Sequence, residues 1–287
     1  MPKPSNNISL RRRFTNSLAL GSITIAAIIV TIPLFLILGT VVYNGVGELH
    51  WAFFTQIPKP VGEEGGGMAN AIVGSLELLG FASLIGVPLG IGAGVYLAEY
   101  GRNMAGNIVR FTCDVLNGVP SIVIGMTAYA LVVLTQKHFS AVAGSVALGI
   151  MMIPTIARTT EEVLLMVPQT IREAALGLGI PQWRTTLSVV VRTASAGIVT
   201  SIMLAFARVA GETAPLMFTA FGNMYWNVNP NQPIAALPLQ IFNYAVMPYD
   251  QAHRQAWTGA LVLITIILFT VILFRYLANR GVMKGAN

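Results

Sequence analysis

The sequence REAALGLG, residues 172–179, lies within a segment that runs from Arg158 to Leu216 and ends in FARVAGETAPL, residues 206–216. Long apolar runs precede and follow this segment, and charged residues recur in both of its halves. We interpret the first half as a polar link outside the membrane. The second half is interpreted as a helix that carries two charges into the membrane, where charged residues are costly and usually functional.

The composition of the 287-residue chain indicates an integral membrane protein. Hydrophobic residues make up 55% and charged residues 10% of it, whereas soluble domains carry about 25% charged residues. The formal charge of +6 is not concentrated in a basic cluster with interleaved aromatics, so no nucleic-acid partner is predicted. The three histidines lack helical metal-ligand spacing, and we predict no metal site. The single Cys113 is interpreted as structural.

Six apolar runs are long enough to span a membrane, since about 20 residues suffice. They cover residues 18–42, 71–98, 115–135, 139–157, 187–210 and 257–277. The first run is longer than a signal-peptide core and lacks a cleavage pattern after it, so residues 18–43 are predicted to be an uncleaved anchor behind a tail of residues 1–17. We predict an all-α integral membrane protein with six transmembrane helices. An exposed loop is expected at residues 43–70, and a polar, proline-rich loop before the last run.

The distribution of cations predicts the orientation of these spans. Thirteen of the seventeen Lys and Arg residues fall on the side of the two termini, where the link at residues 158–186 also lies. Lys59, Lys137 and Arg254 fall on the other side, and Arg208 lies within a run. Because cytoplasmic loops carry the excess of Lys and Arg, both termini and residues 158–186 are predicted to be cytoplasmic.

Small residues recur every four positions in two of the runs. The second run carries Gly86, Gly90 and Gly94, and the fourth carries Ala141, Ser145 and Gly149. Such stripes allow helix backbones to approach closely in lipid. They predict that each of these two helices packs tightly through its small-residue face.

The link at residues 158–186 retains a helical apolar pattern despite its charges. Prolines punctuate it, and Gly177 and Gly179 can end a short helix that begins near Gln169. One interpretation is an amphipathic helix parallel to the membrane between two spans. The alternative is a solvated loop that only joins them.

The fifth run has one face that combines small residues with charges. At 100° per residue, a single narrow face carries Gly197, Ser201, Ala205, Arg208 and Glu212. An Arg and a Glu four residues apart can pair directly on a helix. Arg208 also lies about 24 Å beyond Arg192 along a continuous helix, too deep to reach the cytoplasmic interface.

Two interpretations of Arg208 and Glu212 remain open from the residues alone. The pair either locks two spans together, or it places a cation on the path of an anionic substrate. Arginine suits an oxyanion because its planar guanidinium donates two parallel hydrogen bonds. In the second interpretation Glu212 would hold the guanidinium in place when no substrate is present, and we hypothesise that it also accepts a proton-bearing oxygen of phosphate.

The sequence Glu173-Ala174-Ala175, followed after three residues by Gly179, resembles the EAA-type loop of ABC importer permease subunits. That resemblance implies that the short helix docks onto an ATP-binding subunit, with Glu173, Ala174, Ala175 and Gly179 as the coupling residues. The chain departs from the family at residues 189–192, where VVVR replaces the common Ile-x-Leu-Pro. The resemblance therefore makes no prediction for the start of the fifth span.

Residues 206–212 are similar to a segment in permeases for phosphate, sulfate and molybdate. The continuation GETAPL at residues 211–216, with FTA at 218–220 and LPLQI at 237–241, resembles the A-type permease subunit of phosphate ABC importers. The resemblance covers residues 68–280 and implies a permease domain with the type I ABC importer fold. It also implies that Arg208, Glu212 and Thr213 lie on the substrate path, with no catalytic residues.

This resemblance implies a multi-pass subunit of the bacterial cytoplasmic (inner) membrane that works with other proteins in contact with membrane lipid. The expected partners are a related sister permease, two ATP-binding subunits and an extracytoplasmic phosphate-binding protein. The chain contains no G-x-x-x-x-G-K-[ST] loop, so it is not expected to be an enzyme or to bind a cofactor, and its partners would bind ATP and Mg.

Two other functions compete with phosphate import. A permease for sulfate, molybdate or another oxyanion would need the same arginine chemistry. A secondary anion transporter working alone would show inverted repeats with matching helix breaks, and no clear internal repeat is present. An intramembrane enzyme would require a nucleophile and base within the spans, and we identify no such set.

Overall fold

The computed structural model describes residues 10–60, 63 and 65–284, with side chains for residues 12–276 of these ranges, and that part of the chain contains helices and no β-strand. The predicted tail at residues 1–17 therefore lies partly outside the described residues. The helices are α1 Leu10–Gly45, α2 Trp51–Thr55, α3 Ala69–Glu99, α4 Met104–Gly118, α5 Ser121–Ala128, α6 Leu134–Gln136, α7 Ala141–Leu165, α8 Gln169–Gly177, α9 Gln182–Thr185, α10 Val191–Thr193, α11 Ser195–Ala210, α12 Ala214–Thr219, α13 Leu237–Ala245 and α14 Asp250–Lys284. Two π-helical turns, Tyr129–Val133 and Thr186–Val190, connect α5 to α6 and α9 to α10.

Among the described residues, four helices are long and apolar enough to cross a membrane: α1, α3, α7 and α14. Two bent pairs raise the number to six if each counts as one span. One pair joins α4 to the helix at residues 121–136 with a bend of 106°, and the other joins residues 182–193 to α11 with a bend of 72°. The all-α membrane fold is confirmed, but the third and fifth spans are not the continuous helices that the apolar runs predicted.

The two bends have local causes. At the first, Pro120 follows Val119, whose backbone is extended; a residue before proline avoids the helical conformation. At the second, Ala194 leaves helical geometry just after the π-helical turn. Both breaks lie inside apolar sequence, so the length of the apolar runs did not predict them.

The centre of the fold is the parallel pair α3 and α7, which pack through their small residues. A Cβ added to Gly86 would lie 2.7 Å from Met152 Cβ, and one added to Gly94 would lie 2.6 Å from Thr160 Cβ. On α7, the Ser145 hydroxyl donates to the Leu78 carbonyl at 3.3 Å. Both predicted stripes are therefore confirmed as packing faces, and they face each other.

Gly90 and Gly92 provide a matched test of this packing. A Cβ on Gly90 would lie 2.7 Å from Ile156 Cβ and 3.2 Å from the Ile153 carbonyl, whereas one on Gly92 would have no neighbour within 4 Å. Overpacking costs about 1–3 kcal/mol, so we expect Gly90→Ala to lower the thermal unfolding midpoint of the purified protein. Gly92→Ala is expected to leave it unchanged, and equal midpoints for the two variants would contradict the packing.

The charged link begins later than the sequence predicted. The fourth apolar run ends at Ala157, but α7 continues to Leu165. Glu161 on this extension is only 3% exposed, because its carboxylate pairs with Arg110 and Arg158. Residues 158–165 are thus the last two turns of a spanning helix, and paired charges make that burial tolerable.

The helices divide the protein into two ends. Glu99 and Leu165, the last residues of the parallel helices α3 and α7, lie at the end that carries α8, here called the α8 end. At the opposite end, a buried cluster joins α2, α13 and the starts of α3 and α14. There α1 and α14 run antiparallel, with the Thr258 hydroxyl donating to the Gly45 carbonyl at 2.7 Å. The start of α1 and the end of α14 therefore lie at the α8 end.

Parts of both predicted loops are buried. Phe53 in the first loop is 0% exposed. In the second loop, the stretch at residues 234–240 is buried throughout and enters the protein beside α3. The Leu237 N–H donates to the Ser75 hydroxyl at 2.7 Å, and Gly74 lets the Ala235 carbonyl approach closely. The expectation of an exposed first loop was wrong at Phe53, because this apolar residue helps to close one end of the core.

Candidate functional site

Helix α11 positions Arg208 by packing its small-residue face against α7. A Cβ on Gly197 would clash with the Val163 side chain, and Ser201 and Ala205 are buried. The row of small residues is therefore a packing face, as its pattern predicted. Arg208 comes next in this row, and its side chain is exposed on the chain surface.

The neighbour of Arg208 on α7 fixes its depth. Its guanidinium Nη1 lies 3.4 Å from the Thr155 hydroxyl. Thr155 is about 21 Å along α7 from Ala141 and about 15 Å from Leu165. The bend in the fifth span means that the distance of about 24 Å between Arg192 and Arg208, which assumed a continuous helix, does not apply. The contact with Thr155 independently places Arg208 well inside the span.

Three polar side chains meet at this depth. The Thr155 hydroxyl donates to Asn117 Oδ1 at 3.1 Å, and Arg208 Nη1 lies 3.5 Å from the same oxygen. Contacts of 3.4 to 3.5 Å are long for hydrogen bonds, so they satisfy the guanidinium weakly. Neither Asn117 nor Thr155 was identified from the sequence; the polar interruption before Pro120 was the available signal.

The predicted pair between Arg208 and Glu212 is not formed. Helix α11 ends at Ala210, and the Glu212 N–H bonds to the Val209 carbonyl at 3.1 Å in the turn that follows. Glu212 therefore leaves the helical face on which a spacing of four residues would bring it to Arg208. Within residues 12–60, 63 and 65–276, no carboxylate forms an ion pair with Arg208.

The residues after Glu212 hold the end of α11 in place. The Thr213 hydroxyl donates to the Pro238 carbonyl at 3.4 Å. Pro215 packs against α5, where a Cβ on Gly125 would lie 2.6 Å from Pro215 Cα. Leu216 is 2% exposed in the main core. The contact of Thr213 holds the fold together and does not test a role in transport. The assignment of Glu212 and Thr213 to a substrate path therefore stays a prediction.

The short helix predicted in the link is present as α8, residues Gln169–Gly177. Glu173 and Ala174 are exposed, while Ala175 is buried. Gly179 ends the helix with a φ of +79°, a conformation that favours glycine, and its N–H bonds to the Leu176 carbonyl at 2.9 Å. The amphipathic helix is confirmed, and the solvated-loop alternative was wrong.

Two leucines lie exposed near Glu173, one in the last turn of α8 and one just after the helix. Leu176 is 46% exposed and Leu178 81% exposed. Large exposed apolar side chains next to polar ones mark interaction sites. Glu173 and these leucines are therefore exposed together at the α8 end of the protein.

Arg172 fixes α8 to the two central helices. Its guanidinium donates to Glu99 Oε1 on α3 at 2.8 and 3.1 Å, and to the Leu164 and Val167 carbonyls at the end of α7. Both side chains of the pair are nearly buried, at 11% and 8% exposure. Sequence reasoning missed the pair because 73 residues separate its members.

A second group of charged residues forms ion pairs at the α8 end. Arg110 on α4 pairs with Glu161 at 2.6 Å and donates to the Leu97 and Gly101 carbonyls, each at 2.9 Å. Arg158 bridges Glu161 to Asp114 on α4, where the distance is 2.9 Å. These contacts join α3, α4 and α7 into one platform beneath α8.

Loss of the Arg172 anchor should loosen α8. Removing one partner of a buried pair costs about 3–5 kcal/mol, so Arg172→Gln is expected to accelerate amide hydrogen exchange across α8. Arg184→Gln is the matched control, because Arg184 is an exposed cation of the same link. Unchanged exchange in Arg172→Gln, or an equal effect in both variants, would contradict the anchoring role.

Comparison with known proteins gives consistent matches over most of the chain. A family model described as "Binding-protein-dependent transport system inner membrane component" matches residues 86–281. A Xylella fastidiosa (strain Temecula1) protein named phosphate transport system permease protein PstA is 45% identical over 283 residues, which cover 98% of each chain. A Yersinia pestis protein of the same name is 44% identical over 240 residues, which cover 83% of this chain and 81% of that one.

The fold also resembles a solved structure. A chain in inward-facing structures of the MetNI methionine ABC transporter aligns with a TM-score of 0.54 and 18% identity. The alignment covers 76% of this chain and 96% of that one. At this identity the likeness concerns the arrangement of helices alone.

Proposed function

This chain belongs to the family of binding-protein-dependent transport system inner membrane components, together with the phosphate transport permeases named PstA, and from that membership we propose its function. It is the transmembrane permease subunit of an ATP-driven importer of inorganic phosphate. It is a multi-pass protein of the inner membrane rather than an enzyme. Sulfate and molybdate permeases would use the same arginine chemistry, but the relatives reported above favour phosphate.

Arg208 is the structural observation that carries the choice of an oxyanion substrate in this proposal. Its charge lies well inside the span, on the chain surface, and among the side chains described it has weak contacts to neutral groups and no carboxylate. At this depth a charge that the membrane and a sister permease enclose would need a strong partner, and a guanidinium suits an oxyanion. These features support a transported phosphate as that partner.

The proposed complex includes subunits that this chain needs for energy and substrate. Two ATP-binding subunits would bind ATP and Mg, and one of them would dock on the exposed face of α8 through Glu173, Ala174 and Leu176. A related sister permease would cover the surface that carries Arg208, and an extracytoplasmic phosphate-binding protein would deliver the substrate. The α8 end is then the cytoplasmic end, in agreement with the excess of cations there.

A continuous set of contacts can carry movement from α8 to Arg208. Arg172 joins α8 to α3 and to the last turn of α7. The close packing of α3 on α7 makes this pair a stiff unit, and Thr155 on α7 contacts Arg208. Displacement of α8 by its partners would shift Thr155 and Arg208 together and expose them to each side in turn.

Co-purification tests the proposed assembly. The tagged chain, purified in mild detergent from its native host, is expected to bring a second permease and an ATP-binding subunit in fixed ratio. Vesicles that contain this complex, with the phosphate-binding protein added outside, should accumulate phosphate only when ATP is enclosed. A chain that purifies alone and moves phosphate without ATP would instead be a secondary transporter.

A further inference from the structure

The amide of Asn117 has a fixed orientation. Arg208 can only donate hydrogen bonds, so the Asn117 atom facing its Nη1 at 3.5 Å must be the oxygen. The same oxygen accepts from the Thr155 hydroxyl at 3.1 Å. Asn117 Nδ2 therefore points away from both partners.

This nitrogen carries two N–H donors beside the arginine. In the part of the chain with described side chains, Asn117 Nδ2 has no acceptor, and the residue is only half-buried. Asn117 is the second-last residue of α4 and precedes the 106° bend. The Asn117 donors therefore belong to the same amide whose oxygen lies 3.5 Å from the Arg208 guanidinium.

We propose that Asn117 is a second oxyanion-binding residue of the transport path, with its Nδ2 amide donating to the anion held by Arg208. Thr155 is a positioning residue, because its proton is engaged by Asn117 Oδ1 and its oxygen faces Arg208. The inference rests on the proposed function and adds residues from α4 and α7 to that site. A neutral amide contributes donors without adding a further charge to the membrane interior.

Asn117→Asp tests the donor directly. The carboxylate retains the oxygen that accepts from Thr155 and Arg208, but it loses both N–H donors and places negative charge against the anion. We expect the rate of ATP-driven phosphate uptake at low phosphate concentration to fall at least about tenfold. Asn117→Leu removes both donors without placing a carboxylate beside Arg208, so uptake should fall in this variant as well. Normal uptake by either variant would overturn the proposal.

Asn107→Asp is the matched control. Asn107 lies on the same helix, and its Oδ1 likewise accepts from an arginine, Arg110 Nη1, at 3.2 Å. This variant is expected to transport normally, because Asn107 lies ten residues away at the α8 end. An equal loss in both variants would assign the effect to charge on α4 and overturn the proposal.

The role of Thr155 has a separate readout. Thr155→Val removes the hydroxyl while keeping the shape, so we expect a higher KM for phosphate with less change in the maximal rate, and Thr155→Ser should restore the KM. An unchanged KM in Thr155→Val would remove Thr155 from the site.

Transport assays of the wild-type complex distinguish a failure of this inference from a failure of the proposed function. If it transports sulfate or molybdate but not phosphate, the proposed substrate is wrong. Asn117→Asp must then still reduce uptake of that other oxyanion, since the amide binds any anionic oxygen. A wild-type complex with normal phosphate uptake and a fully active Asn117→Asp variant would instead refute the inference alone.

Discussion

Arg208→Gln is expected to reduce phosphate uptake by more than about a hundredfold while leaving the complex assembled. Gln can still contact Thr155 and Asn117, but it lacks the charge and the paired donors that bind an oxyanion. Hydrogen bonds to charged groups contribute about 1.5–3 kcal/mol each, and a guanidinium can make two of them. The measurement is ATP-driven uptake of labelled phosphate by reconstituted vesicles.

The fold should tolerate this change, because Arg208 is exposed and its protein contacts are long. Arg192→Gln is the matched control: Arg192 is an exposed cation of the same bent span, on the other side of the 72° bend. We expect Arg192→Gln to transport at a normal rate. Normal uptake by Arg208→Gln would remove this residue from the path.

Glu173→Lys is expected to abolish transport for a different reason. Glu173 is exposed near the middle of α8, beside the apolar side chain of Leu176. Reversal of its charge should weaken docking on a cationic groove of the ATP-binding subunit without disturbing the Arg172 anchor. ATPase subunits should dissociate from the variant, or hydrolyse ATP without moving phosphate.

Glu162→Lys is the control for the charge change. Glu162 is also exposed at the α8 end, but it lies on α7 rather than on the docking helix. Glu162→Lys should retain its ATPase subunits and its uptake. Coupled transport by Glu173→Lys at the normal ratio of ATP to phosphate would rule out the docking role.

The pattern of small residues and charges predicted much of this fold. The stripes containing Gly90 and Ser145 identified the two helices that pack most closely, since only small residues allow backbones to approach in lipid. Ala-rich sequence and two glycines predicted α8 and its end. These features are local in sequence, so a single chain reveals them.

Features that depend on distant residues were not predictable in this way. The pair between Arg172 and Glu99 and the contacts of Arg208 with Thr155 and Asn117 join separate helices. The spacing that would pair Arg208 with Glu212 assumes a helix through Gly211, but α11 ends at Ala210, so the pair is not formed. When a helix breaks inside an apolar run, residues beyond the break no longer share the helical face that a continuous helix would give them.

Competition for uptake tests the central claim most directly. Vesicles that contain the purified complex with its ATP-binding subunits, with ATP enclosed and the binding protein added outside, should accumulate labelled phosphate. An excess of unlabelled phosphate should abolish accumulation, and equal concentrations of sulfate or molybdate should not. Uptake of labelled sulfate or molybdate in preference to phosphate, or phosphate uptake that needs no ATP, would contradict the account.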